Sequence, residues 1–128
     1  MKSFIVALIL IVSVSVFVIW NSIYTVSIID EMLLLTEALP KTAEEFRASA
    51  SAAAPAMNRL TALWDQKFPF IVFMSGYGNT DRCDTAIGAL SVHFKNANDM
   101  EFPIALAEFR DGLKRLRILE GFHAESIF

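Results

Sequence analysis

The chain has 1 Cys and 2 His among 128 residues, which leaves no material for a disulfide framework or a close-spaced Cys/His metal site. With 5 Gly and 4 Pro it is neither collagen-like nor a low-complexity chain. Charged residues make up 20% of it and the net charge is −3, so the broad basic face of a nucleic-acid binder is absent. The most informative absence is local: no charged residue occurs from Ser3 to Ile29.

What fills that stretch is apolar. Phe4 to Trp20 is interrupted only by Ser13 and Ser15. A helix over Ser3–Ile29 spans roughly 40 Å, enough to cross the ~30 Å hydrocarbon core of a bilayer with some tilt. In lipid each backbone N–H must be satisfied within the segment, which leaves a helix as the single-pass solution. Trp20 and Tyr24 lie one turn apart and suit the outer interface, where a ring can keep its body in an apolar layer and its edge in water. A cleaved signal peptide normally has an apolar run of about 7–15 residues and a small-residue cleavage site, and Val16, Val18 and Trp20 do not provide one. The expectation is an uncleaved anchor over residues 1–29, with Phe4–Ile29 in the lipid bilayer. Lys2 precedes it and Asp30-Glu31 follow, so the N-terminus is expected in the cytoplasm and residues 30–128 outside it.

Beyond Asp30 the periodicity is helical. Ile28, Met32, Leu35 and Leu39 carry the first helix outward until Pro40 ends it. A second stripe reads Phe46, Ala50, Ala53, Met57, Leu60, Trp64, Phe68, Ile71, with Pro55 expected to break or kink it near residues 51–54. A third reads Cys83, Ile87, Leu90, Phe94, Ala97, with Asn79, Thr80 or Asp81 as its N-cap. A fourth reads Phe102, Leu106, Phe109, Leu113, Leu116, with Asp99 as cap and Pro103 in the first turn. Short connections around Pro40, residues 75–79 and residues 96–99 call for antiparallel neighbours. The expected fold class is all-α: an N-terminal transmembrane helix followed by a small antiparallel bundle of helical hairpins. The hairpin spacing is only weakly tetratricopeptide-like, because the signature residues of that repeat are not present in order.

The acidic start Asp30-Glu31-Met32-Leu33-Leu34 behind the anchor, the segment Leu60-Thr61-Ala62-Leu63-Trp64, and the endings Leu116-Arg117-Ile118-Leu119-Glu120 and Glu125-Ser126-Ile127-Phe128 carry a resemblance. In these the chain resembles the family catalogued as domain of unknown function 4363. That resemblance implies a small bacterial protein, of a kind found mainly in anaerobic endospore formers, with one membrane helix and a helical extracytoplasmic domain. The family's activity is unknown. Where its members carry a His and acidic residues after the Trp helix, this chain has Ser75-Gly76-Tyr77-Gly78-Asn79, and Ser126 stands in place of an Asn.

The search for chemistry is short. His93 and His123 have no partner at ligand spacing, and Cys83 reads as a core thiol. No Ser sits in a nucleophile elbow, and Gly76-x-Gly78 follows a helix, so it reads as a helix end and turn and not as a phosphate cradle. No catalytic residue, metal ligand or cofactor is expected, and an enzyme is disfavoured. Two features remain. Arg110, Lys114, Arg115 and Arg117 lie largely on one helical face that could contact an anionic group, although a solvated helix end partly neutralised by Glu108 and Asp111 is the favoured explanation. Phe68, Phe70, Ile71, Val72, Phe73 and Met74 point in every direction around a helix, so one core face cannot absorb them all. Another subunit, the membrane surface or the chain's own tail (Ile118, Leu119, Phe122, Ile127, Phe128) must cover the surplus, and Phe68, Phe70, Phe73 and Met74 form the candidate interface.

These features favour a membrane-anchored interaction or accessory protein that docks a membrane or envelope protein or associates with itself, and that binds no nucleic acid. The alternatives are a sensory or small-ligand module, for which Arg59, Gln66, Tyr77 and His93 are the available polar groups, and a structural protein of the spore envelope.

Overall fold

A computed structural model describes the backbone of residues 1–127 and the side chains of residues 1–121. The described residues form four helices and no strand: α1 (Lys2–Glu37), α2 (Ala43–Ser75), α3 (Tyr77–Lys95) and α4 (Phe102–Ile127). They run alternately up and down. Each packs on its sequence neighbours, and α4 closes the ring against α1. The fold class is therefore the expected all-α antiparallel bundle, with one long apolar helix at the N-terminus.

That first helix is continuous over 36 residues, or about 54 Å. Its apolar side chains up to Phe17 are exposed, and it is long and apolar enough to cross a membrane. From Ser22 onward a different pattern begins. Ser22, Thr25, Ile28, Ile29, Met32 and Thr36 are buried against the other helices. The expected anchor, residues 1–29, thus overlaps the bundle from residue 22, and the second half of α1 is one of the bundle's four members. The helix stops at Glu37, three positions before Pro40, as the restriction on residues preceding proline demands.

The second stripe forms α2. Thr42 caps it by accepting the Glu45 N–H at 3.1 Å, while the Glu45 carboxylate accepts the Lys41 N–H at 2.9 Å. Of the two outcomes expected at Pro55, a break does not occur, and Pro69 does not break the helix either. Both prolines and the residues four positions earlier, Ser51 and Asp65, are exposed, so the carbonyls that lose a partner face water. Burial of Phe46, Ala53, Met57, Leu60, Trp64 and Ile71 along the opposite face offsets the ~3 kcal/mol that an interior proline costs.

A single residue, Gly76, joins α2 to α3. Its φ of 84° and ψ of 150° lie where a side chain is strained, which explains a glycine there. The helix accordingly starts at Tyr77, and Asn79, Thr80 and Asp81 lie inside it instead of capping it. Asn79 Nδ2 donates to the Ser75 carbonyl at 2.6 Å and Thr80 Oγ1 to the Gly76 carbonyl at 3.1 Å, so these residues bind the end of α2.

At its far end α3 stops at Lys95, and Ala97 is not a core residue. It is exposed with φ 53°, and the Asn98 N–H reaches back to the His93 carbonyl at 2.9 Å while the Ala97 N–H reaches Phe94 at 3.2 Å. This is a left-handed helix stop in which alanine holds the place usual for glycine. Asp99, expected to cap α4, is held by Arg47 of α2, and Asn98 Oδ1 accepts the Glu101 N–H at 3.2 Å in its stead.

The core runs from Phe46, Phe94 and Phe102, whose ring centroids lie 5.0–6.0 Å apart, to Trp64 edge-on to Phe109 at 5.7 Å. Between α3 and α4 the backbones approach closely. A Cβ on Gly112 would lie 2.6 Å from the Cys83 sulfur.

Candidate functional site

The end of the bundle nearest the exposed half of α1 is built on a buried carboxylate. Extending the fourth stripe by its own period leads from Leu116 to Glu120, and extending the second leads from Ile71 to Ser75. On α1 the same face descends from Ile28 through Thr25 to Ser22. Each core stripe therefore ends in a polar residue, and the three meet. Glu120 is 0% exposed. Its carboxylate accepts from Ser75 Oγ at 2.6 Å and from Ser22 Oγ at 3.3 Å. Hydroxyl donors from two helices, the Ser75 bond short and the Ser22 bond long, help to satisfy a group whose burial would otherwise cost several kcal/mol. The contact fixes the α2–α3 turn and the end of α4 at the height of Ser22. A shallow groove of about 170 Å³ lined by Ser22, Ile23, Val26, Glu120 and Gly121 lies beside it. The sequence reading stopped the stripe at Leu116. One further step, with a Glu falling on a core position, was the available signal.

The structure divides the candidate interface of Phe68, Phe70, Phe73 and Met74. Phe68 is half-buried with its ring 5.6 Å from Trp64, and Phe70 meets Tyr24 of α1 edge-on at 5.2 Å. Met74 is half-buried. Phe73 alone is open, 76% exposed. Phe70 is therefore covered by α1, through a residue expected in the anchor, and Phe68 by the core around Trp64. Of the tail proposed as a cover, Ile118 is exposed and Leu119 half-buried, while the side chains of Phe122, Ile127 and Phe128 lie outside the described residues.

The basic face of α4 turns toward carboxylates of the same chain. Arg117 grips Asp30 of α1 at 2.6 Å, Arg110 grips Glu37 at 2.7 Å, and Arg115 lies 3.2 Å from Asp111, which also faces Arg82 at 3.5 Å. A hydrogen bond from Lys41 and then the charge of Arg110 hold the Glu37 carboxyl below the usual carboxylate range. Lys114 is exposed. Asp30 and Glu37 are thus counter-charges of α4, a pairing across 87 and 73 positions that spacing alone does not reveal.

Other candidates are less developed. Burial pushes the Cys83 thiol up to about 12, which leaves it protonated and unreactive at neutral pH. No group of three metal-ligating side chains converges among the described residues. Between α2 and α3 an open groove of about 330 Å³ is lined by Thr61, Trp64, Asp65, Asp84, Ile87, Gly88 and Ser91, and the Trp64 indole donates to Asp84 across 2.9 Å. None of Arg59, Gln66, Tyr77 and His93 lines it, and Arg59 is paired with Glu31 at 3.1 Å.

Comparison with protein-family models, curated proteins and solved structures gives no match for this chain, so its functional reading rests on the arrangement of its own residues.

Proposed function

We propose that the chain is a single-pass membrane-anchored helical interaction protein, its N-terminus cytoplasmic and its bundle extracytoplasmic, which docks a membrane or envelope protein. The observation that carries this reading is the continuity of α1. One helix is uncharged, with its apolar side chains exposed, from Phe4 to Phe17 and then becomes a packed member of the bundle from Ser22, clasped to α4 by Arg117–Asp30 and Arg110–Glu37. With no loop between anchor and bundle, the bundle is held at fixed height and orientation over the bilayer, as suits presenting a surface to a neighbour in the same membrane. Lys2 before the apolar stretch and Asp30-Glu31 after it support the orientation. The resemblance to domain of unknown function 4363 supports a bacterial envelope as the setting.

The test is photo-crosslinking in native membranes at native expression, with probes at the exposed positions Phe73, Val92 and Met100. One defined membrane or envelope protein captured from the bundle is the expected result. Recovery of monomer alone from all three positions overturns the reading. A small-ligand module is favoured only by the groove between α2 and α3, and native mass spectrometry of the purified full chain with no retained small molecule removes it.

A further inference from the structure

Each of the four helices places a large apolar or aromatic side chain in solvent at one end of the bundle. Trp20 is 72% exposed on α1, Phe73 76% on α2, Tyr77 62% on α3 and Ile118 71% on α4. Leu34, Val92, Met100 and Ile104 are exposed elsewhere on the bundle, but its exposed aromatic rings, Trp20, Tyr24, Phe73 and Tyr77, all gather at this end. The buried contact of Ser22, Ser75 and Glu120 sets their level: Phe73 and Tyr77 flank Ser75, Trp20 lies two residues before Ser22, and Ile118 two before Glu120. The α2–α3 turn at this end carries no charge. No charged residue occurs between Lys67 and Asp81, and the first charges above the turn are Lys67, Asp81, Arg82, Asp30 and Arg117. Lys67 Nζ reaches to the Tyr24 hydroxyl at 2.9 Å, an ammonium group over an interfacial ring.

Dimensions give the occupant. On the anchor reading above, on which this inference rests, residues 3–21 of α1 cover about 28 Å and so fill a hydrocarbon core of ~30 Å by themselves. The α2–α3 turn, level with Ser22, then falls in the headgroup layer, where Trp, Tyr and Phe are enriched because their rings have an apolar body and, for Trp and Tyr, a polar edge. We propose that this end of the bundle is a lipid-binding surface: Phe73 and Tyr77, with Trp20 and Ile118, seat in the interfacial layer of the bilayer around α1, so that the bundle sits in the membrane surface and does not stand above it. The charges at its rim are of both signs, so the surface requires no anionic lipid.

Nitroxide labels on the full chain in phosphatidylcholine vesicles test this. Cys83 is wholly buried and stays unlabelled, so single variants Leu10→Cys, Phe73→Cys, Tyr77→Cys and Met100→Cys report one position each, all exposed in the native chain. The ratio of collision rates with oxygen and with a water-soluble nickel complex measures depth. The expected ratio is highest at position 10, several-fold lower but still raised at 73 and 77, and lowest at 100. Ratios at 73 and 77 equal to that at 100 overturn the seat while leaving the anchor standing. Labels at 73 and 77 shielded from both reagents overturn it in favour of a protein cover. A low ratio at position 10 overturns the anchor and the seat together.

Discussion

The two halves of α1 share one unbroken helical backbone, yet they solve different problems. In the first half Phe4, Leu8, Ile11 and Val12 all face outward, with no preferred side and no tertiary hydrogen bond. In the second half Ile28, Ile29 and Met32 take one face, Asp30, Glu31 and Glu37 the other, and the polar Ser22 is buried against a carboxylate. A helix apolar all round suits lipid, and one with a stripe suits a bundle in water. The change from one to the other takes place within about one turn, between Trp20 and Ser22. Hydropathy by itself runs on to Ile29 and does not see it.

That contrast is broken most directly by truncating one residue in each half. Met32 is fully buried, and Met32→Ala should cost about 2–5 kcal/mol from lost transfer energy and the cavity left behind. Leu10→Ala, at a position with no protein neighbour to lose, should leave bundle stability within about 0.5 kcal/mol. Chemical denaturation of the full chain in neutral detergent, followed by Trp64 fluorescence in a Trp20→Phe background, measures both. Equal losses at the two positions would mean that the first half of α1 also packs against protein.

The stripes made the helices and most of their core legible, since Met57, Leu60, Trp64, Leu90, Leu106, Phe109 and Leu113 are all buried where the 3.6-residue period puts them. What periodicity could not provide was partner identity. That α1 covers Phe70 with Tyr24, and that Arg110 and Arg117 find Glu37 and Asp30, depends on which helices become neighbours. Helix ends were misread for local reasons. Gly76 at positive φ makes a one-residue turn possible where a longer loop was expected, and Ala97 takes a left-handed stop that composition gives no hint of. The buried carboxylate was missed because a stripe was taken to end where its apolar residues end.

Glu120 gives the intermediate effect, at the boundary between the two halves. Glu120→Leu removes the acceptor and leaves the hydroxyls of Ser22 and Ser75 without their partner, with an expected loss of about 1–3 kcal/mol in the same unfolding assay. Glu120→Gln should lose less. Its amide retains one acceptor oxygen, and a serine hydroxyl can turn to accept from the amide nitrogen. If Glu120→Leu were neutral or stabilising, the polar layer would not hold this end together, and the height assigned to the α2–α3 turn would lose its fixed point.

The smallest effect concerns the clasp that distinguishes the second half of α1 electrostatically. Arg117 and Asp30 meet through two contacts, at 2.6 and 3.5 Å, with both side chains about half exposed. Solvent screens such a pair, so a double-mutant cycle of Arg117→Ala and Asp30→Ala should give a coupling of about 0.2–1 kcal/mol. Added salt should shrink it, because the pair lies where water and ions reach both partners. A coupling well above that range and indifferent to salt would show that the pair is shielded from water in the membrane-bound protein. The interfacial layer would then extend up to Asp30, and the bundle would sit deeper than the level of Ser22 implies.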